Sequence, residues 1–383
     1  MATGPLTTFG DAFWTALDPV SLTQENVVAK INLLERLEVR SPYGDSGISP
    51  WERIKRSLRM LEPLLPEQHR QEWLRAALVI FANVKYVPSN MLEATWKSLY
   101  FDLVNSRRFG LGRENVPVLH QIHLFQNDPG RLANEFCHVN GLQGRLDTGT
   151  SARIEGTERL VDQLLTSRPD TDDGLRLLFS KPFWVLLADK ALSGHSLRGD
   201  LEKLVTIRSW MPEESRPSIF VLCQVLTEQA QQSIADLTAL DGVALHSGLY
   251  FPLSENLSFP NSSLIRTESI RRDARRLCQW FAEHVMGDDP QLDRMRQRSG
   301  DRLEFGYRNC GLTFVDHENC ATDALPLLWY QSRGGSPRHY AGPYLRVHSR
   351  IGDQAVEATG SKWETLSRGD GLARVSALAG ARR

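Results

Sequence analysis

The sequence predicts an α/β protein with a mostly parallel sheet, preceded by a helical N-terminal subdomain. Three observations carry this. Residues 183–188 (FWVLLA) are a short, continuous apolar run, as expected of a strand buried on both faces, and 219–226 (IFVLCQVL) read as a second buried run. Between them, residues 196–207 place Leu197, Leu201 and Leu204 on one helical stripe, so strand, loop, helix and strand follow in the order of a right-handed crossover. The first third of the chain reads as helical throughout.

Taken in order, residues 51–65 line one face with Ile54, Leu58, Leu61 and Leu65. A run opening at Pro66, a first-turn proline, continues the pattern with Trp73, Ala77, Ile80, Phe81 and Val84. Ser89 caps a third helix whose stripe is Leu92, Trp96, Leu99 and Leu103. Glycines at 110 and 112 end this pattern, which sets the helical subdomain at residues 1–112. An α/β domain is expected over 113–351. Residues 116–125 alternate in part and predict a strand, and 312–315 predict another, followed by Asp316 and His317. An insertion with loops and a basic helix is expected at about 240–300. From 352 to 383 the chain is rich in Gly, Ala, Ser and Arg with isolated apolar residues, which predicts a flexible tail.

Composition excludes several classes. The 383 residues are 41% hydrophobic and 24% charged, enough for a sizeable core and unlike a collagen, a coiled coil or a disordered chain. Lys+Arg is 45 against Asp+Glu 46, so a uniformly basic surface is ruled out while a local basic patch is not. Five scattered cysteines without a CxxC read as free thiols of a reducing compartment. No apolar run has the length of a membrane span, and the first residues lack the pattern of a secretion signal. The expectation is a cytoplasmic protein with no membrane partner.

The most informative stretch is 183–204. A strand ends near Asp189, and four residues later comes Ser193-Gly194-His195-Ser196, opening an amphipathic helix. Such a turn aims backbone N–H groups at the positive end of the helix, with two hydroxyls beside them, and so forms a phosphate cradle. A carboxylate at the carboxyl end of the strand faces the ligand crevice of an open α/β sheet, where it suits ribose hydroxyls or a magnesium ion.

This stretch resembles the phosphoribosyl-pyrophosphate loop of type I phosphoribosyltransferases. Residues 306–329 (GYRNCGLTFVDHENCATDALPLLW), with 343–346 after them, resemble the C-terminal signature of the phosphoribosyltransferase-like conflict-effector family. The matching features are a strand leading to His317 and Asn319, a Leu-Pro-Leu-Leu-Trp motif at 325–329, and Arg346. The resemblance spans about residues 50–350. It implies a sheet of type I phosphoribosyltransferase kind and a toxin-like effector of bacterial anti-phage defence, including some retrons. It further implies a pocket for a ribose 5-phosphate group, carried by phosphoribosyl pyrophosphate or a nucleotide, and Mg2+-assisted chemistry at the anomeric carbon. In that scheme Ser193, Gly194, His195 and Ser196 hold the phosphate, Asp189 the ribose, and His317 acts as acid or base.

The chain departs from the family pattern in the strand itself. Ala188 stands where the first of two acids is expected, Lys190 occupies a usually apolar position, and Leu192 replaces a small residue. These departures support an alternative, a catalytically degenerate module that binds a nucleotide or a partner. That partner would be a reverse transcriptase with its RNA–DNA, or another defence-system subunit.

Two further groups call for a reading. Cys310, His317 and Cys320, with His339 as a borrowed fourth ligand, match none of the strong zinc spacings, and no metal site is assigned to them. Residues 269–285 form a helix with Ile270, Ala274, Leu277, Cys278 and Phe281 on one side. Arg271, Arg272, Arg275 and Arg276 crowd another side at i,i+4 spacing, an arrangement that invites an anionic partner such as a nucleic acid.

Overall fold

A computed structural model describes residues 25–38, 48–105, 121–126, 131–142, 153–167, 173–287, 289–300, 303–317, 320–332, 340–344 and 370–380. Residues 116–120, Glu318, Asn319, His339, Arg346 and most of the expected tail lie outside them. In chain order the elements are α1 (Val27–Leu37), α2 (Pro50–Leu61), α3 (Arg70–Ala82), β1 (Lys85–Val87), α4 (Ser89–Asn105), β2 (Ile122–Gln126), α5 (Arg131–Val139), β3 (Arg153–Gly156), α6 (Thr157–Thr166) and α7 (Asp173–Ser180). Then come β4 (Phe183–Ala191), α8 (His195–Ser209), β5 (Ser218–Thr227), α9 (Glu228–Ser233), α10 (Ala235–Thr238), β6 (Val243–Phe251), α11 (Glu268–His284), α12 (Asp293–Ser299), β7 (Phe314–Asp316), α13 (Pro326–Trp329) and α14 (Asp370–Gly380). The protein is α/β, and both of its sheets are parallel.

The chain divides into two units, each built from two separate stretches. Residues 1–91 and 252–348 form one, and 92–251 with 349–383 form the other. This replaces the partition at 112 and 351. The expected insertion at 240–300 is divided as well: 243–251 is a strand of the large sheet, and the residues from 252 belong to the other unit.

The second unit holds a five-stranded sheet in the order β3-β2-β4-β5-β6. Its centre is β4, paired with β2 on one side and β5 on the other, with Phe183 opposite both Ile122 and Ser218. Successive side chains of a strand point to opposite faces, so a central strand must be apolar at every position. Trp184, Leu186 and Ala188 accordingly join one core with α6, α7, α8 and α9. Phe183, Val185 and Leu187 join the other, with α4 and α5. The edge strand β6 carries Gly248 because α4 crosses it there, and a Cβ at this position would lie 2.4 Å from the Cβ of Thr95. The flexible-tail expectation fails over 370–380: α14 buries Val375, Leu378 and Ala379 in the α6–α9 core, and Ser376 Oγ donates to the Trp210 carbonyl at 2.9 Å.

In the first unit α3 is apolar nearly all round, with Trp73, Leu74 and every residue from 76 to 82 buried. A helix of that kind must be enclosed, and α1, α2 and α11 enclose it. Residues 312–315 do not add a strand to the large sheet. They lead into β7, which pairs in parallel with β1 alone, Lys85 opposite Phe314 and Val87 opposite Asp316. The segment 340–344 is tied down by a buried carboxylate. Glu38, 1% exposed, pairs with the Arg53 guanidinium and accepts the Tyr344 hydroxyl at 2.9 Å. Arg53 also donates to the carbonyls of Pro343 at 3.1 Å and Ile48 at 3.0 Å.

Removing one partner of a buried ion pair leaves an uncompensated charge. Arg53→Met, which keeps the length of the side chain, should therefore lower unfolding free energy by about 3–5 kcal/mol. Tyr344→Phe, which removes a single hydrogen bond to the same carboxylate, should lower it by about 1–3 kcal/mol. Urea titrations of the two variants check the order.

Candidate functional site

The order of the five strands reverses between β2 and β4. The helix after β2, α5, packs on one face through Leu132, Ala133 and Phe136, while the helix after β4, α8, packs on the other through Leu197, Leu201 and Leu204. Helices that part to opposite faces leave a crevice outside the carboxyl ends of those two strands, where open α/β sheets bind ligands.

Asp189 stands at this point, near the end of β4, which runs on to Ala191 rather than stopping at 188. Both its oxygens are engaged. Oδ1 accepts the Lys190 N–H at 2.6 Å. Oδ2 lies 3.4 Å from Arg131 Nη2 and 3.8 Å from Lys190 Nζ. Arg131 is the first residue of α5, and that helix is capped from β2 by Gln126, whose Oε1 accepts the Ala133 N–H at 2.8 Å.

The turn after β4 brings Ser193 and Gly194 to the start of α8. Neither Ser193 nor Ser196 uses its hydroxyl in a hydrogen bond among the described residues. Gly194 is the N-cap and offers no side-chain acceptor, so the first-turn N–H groups of α8 receive none from their cap. His195 and Ser196 are exposed, and Ser193 is half-buried.

Packing alone requires glycine at 194. Its φ of +79° lies in the left-handed region, and a Cβ would fall 2.0 Å from Ser233 Oγ and 2.8 Å from Ala230 Cα of α9. The close approach is therefore between the turn and α9. Thr227 Oγ1 adds a second brace, donating to the Leu192 carbonyl at 2.5 Å while accepting the Ala230 N–H at 3.0 Å. Arg198, in the first turns of α8, donates to the Ser233 carbonyl and grips Asp236 with two bonds of 2.7 and 2.8 Å. The turn is held from beneath on three sides.

One more acid sits behind it. Asp200 of α8 is buried and accepts the Thr157 hydroxyl at 2.5 Å, at the point where α6 begins after β3. Burial pushes its carboxyl up to about 6. The Lys203–Glu158 ion pair links the same two helices.

The other residues singled out from the sequence fall elsewhere. Asp316 is buried at the end of β7, and the His317 N–H donates to the Val87 carbonyl at 3.1 Å. Both belong to the two-stranded sheet. Cys310 Sγ lies 3.5 Å from Asp323 Oδ1, and among the described residues no three His, Cys, Asp or Glu side chains converge as a metal site would need. Pro326–Trp329 is a buried turn of helix, with Trp329 Nε1 bonded to the Ala324 carbonyl at 3.0 Å; it packs rather than binds.

The arginine row divides in two. Arg271 donates to the carbonyls of Pro260 at 2.9 Å and Ile265 at 3.0 Å. Arg275 donates to the Leu257 carbonyl at 2.6 Å and lies over the Phe305 ring. Arg272 and Arg276 are exposed.

Arg131, Lys190, Thr227 and Asp200 were not among the candidates. The period of α5, with Leu132, Ala133, Phe136 and Cys137 on its buried side, was legible. That Arg131 reaches a carboxylate 58 residues away was not.

A parallel sheet whose strand order reverses between β2 and β4 is the arrangement of doubly wound α/β folds, which take ligands at such reversals. The family model PRTase-CE, of phosphoribosyltransferase conflict effectors, matches residues 66–341, and the chain belongs to this family. Comparison with curated proteins and with solved structures gives no match. Among the described residues no helix is long and apolar enough to cross a membrane.

The protonation of Asp200 gives a test of this packing. Folded, it keeps its proton up to about pH 6, whereas an unfolded aspartate releases it near about pH 4. The folded state binds more protons across that window, so this group's contribution to stability falls as pH rises through it and is level above it. Asp200→Asn can still accept from Thr157 and cannot ionise. It should match wild type near about pH 4 and exceed it by about 1–3 kcal/mol at about pH 7. Denaturant midpoints at the two pH values decide, and an equal difference at both would contradict the assignment.

Proposed function

We propose that this conflict effector binds a ribose 5-phosphate group, as phosphoribosyl pyrophosphate or a nucleotide, at the β4–α8 turn, and acts in the cytoplasm as a toxin-like effector of bacterial anti-phage defence. One observation carries the reading: Asp189, Ser193, Gly194 and the uncapped start of α8 lie together at the strand-order reversal. The positive end of the helix and the hydroxyls of Ser193 and Ser196 suit the phosphate oxygens. The Asp189 carboxylate, a loop away, suits the ribose hydroxyls. Bond making or breaking at the anomeric carbon would take place above β4.

The turn is braced by α9 before any ligand arrives, so little ordering should accompany binding. Calorimetric titration of the full chain with phosphoribosyl pyrophosphate and with nucleoside monophosphates tests this, and at least one should bind with a stoichiometry of one. Absence of heat from all of them, with the fold intact, would remove the pocket.

A specific observation also favours the second reading, a module that docks on a nucleic-acid partner such as the RNA–DNA of a reverse transcriptase. Arg272 and Arg276 are exposed on α11 while its opposite stripe is buried, so the helix stays docked with both charges outward. If they meet phosphates, replacing both by serine should weaken binding of an RNA–DNA hybrid and reduce its salt slope by about two. Melting temperature should hardly change, because exposed charges contribute little to stability. Fluorescence anisotropy over a salt series measures the slope, and an unchanged slope rejects this surface.

A further inference from the structure

The helix α11 carries a second pattern besides its buried stripe. Arg272, Arg276, Trp280 and His284 recur every four residues along it. An α-helix turns about 100° per residue, so a row with this spacing drifts about 40° at each step. It starts opposite the core stripe of Ile270, Ala274, Leu277 and Phe281 and ends at the border of that stripe. Arg272 and Arg276 accordingly stand exposed, and Trp280 is half-buried at the flank. Neither arginine makes a hydrogen bond or an ion pair among the described residues.

Trp280 also belongs to a file of four rings. His69 stacks on Trp73, with centroids 4.9 Å apart and planes 20° from parallel. Trp73 of α3 meets Trp280 at 5.6 Å and 50°, and Trp280 meets His284 at 5.3 Å and 13°. Packing accounts for the two tryptophans, since Trp73 lies in the core and Trp280 against it. It does not account for the last ring. His284 is 44% exposed, yet its plane is fixed twice, by the stack on Trp280 and by Nδ1, which donates to the Trp280 carbonyl at 3.1 Å. An open aromatic face already held in place loses little freedom when another ring is laid on it.

We infer that the row from Arg272 to His284 binds an unpaired nucleic-acid strand, with backbone phosphates at Arg272 and Arg276 and a base stacked on the outer face of His284. The inference rests on the nucleic-acid reading of α11 above and deepens it, from phosphates alone to a strand whose bases are open. Two arginines by themselves suit any polyanion. An aromatic face beside them is selective, because bases inside a duplex are stacked on one another, whereas an unpaired base can lie on a side chain. Every base has a π-face, so the preference is for the single-stranded state and not for a sequence. Each step of the row advances about 6 Å along the helix, which keeps backbone and base contacts within a few nucleotides. Two exposed carboxylates flank the row, Glu268 one turn before Arg272 and Glu283 beside His284. Solvent and salt screen both, so they moderate affinity without closing the surface.

The experiment is fluorescence anisotropy of the full chain with labelled probes of about 12 nucleotides: oligothymidylate, an abasic strand of the same length, and an RNA–DNA hybrid. Oligothymidylate should bind about tenfold more tightly than the abasic strand. His284→Ala should remove about that factor on oligothymidylate and none on the abasic strand. Its salt slope should stay that of wild type, because a stacked ring releases no counterions. His284→Phe, which keeps a ring without the nitrogens, should bind oligothymidylate within about threefold of wild type. Circular dichroism melts check that both variants remain folded. Wild-type affinity of His284→Ala for oligothymidylate, or tighter binding of the hybrid than of the open strand, would overturn the inference. If Arg272→Ser with Arg276→Ser still lowers the salt slope in that case, the phosphate contacts stand and only the stacked base falls. Failure of all three probes to bind would overturn the two together.

Discussion

The arrangement of the second unit depends on one constraint: β4 is sandwiched between β2 and β5 and covered on both faces. Every side chain from 183 to 188 must be apolar, and polarity is admitted only as the strand emerges. Asp189 and Lys190 mark that emergence. The reversal of strand order occurs beside the same strand, so the place where the sheet first tolerates charge is also the place where its flanking helices part. Position and chemistry of the site have a common origin in the burial of a single strand.

The turn above β4 is held by contacts that no ligand supplies. Thr227 fixes the Leu192 carbonyl, α9 closes against Gly194, and Arg198 ties the first turns of α8 to Ser233 and Asp236. Among the described residues, the hydroxyls of Ser193 and Ser196 are left unbonded. A rigid underside beneath unbonded hydroxyls is the division of labour that preorganised binding requires.

How much of this was legible depends on how local its cause is. The strands β4 and β5 announce themselves, because full burial writes apolar runs, interrupted in β5 only by the buried Gln224. The helices α2, α3 and α4 do so through periodicity. By contrast β6 (VALHSGLYF) mixes polar and apolar residues, since an edge strand is half-covered and one position had to be glycine to admit Thr95. The strands β1 and β3 are three and four residues long, too short for any period. At the site, Ser193–Gly194 could be read, as a turn is a local event. What could not be read there is that α9, more than thirty residues on, itself demands the glycine. The strand at β7 was seen but joined to the wrong sheet, since nothing in an apolar run says which partner it pairs with.

Each unit is discontinuous in the chain, and this bears on the order in which the protein can be made. On the ribosome, the residues of β2 to β6 emerge in one uninterrupted stretch, so the five-stranded sheet can pair as soon as 251 has appeared. The helices α1 to α3 emerge earlier, yet α11 and β7, which complete their unit, come some two hundred residues later. During that interval α3, apolar nearly all round, has no finished core to enter. The segment synthesised first is among the last to be enclosed, and it is where a nascent chain of this protein most needs shielding from its neighbours.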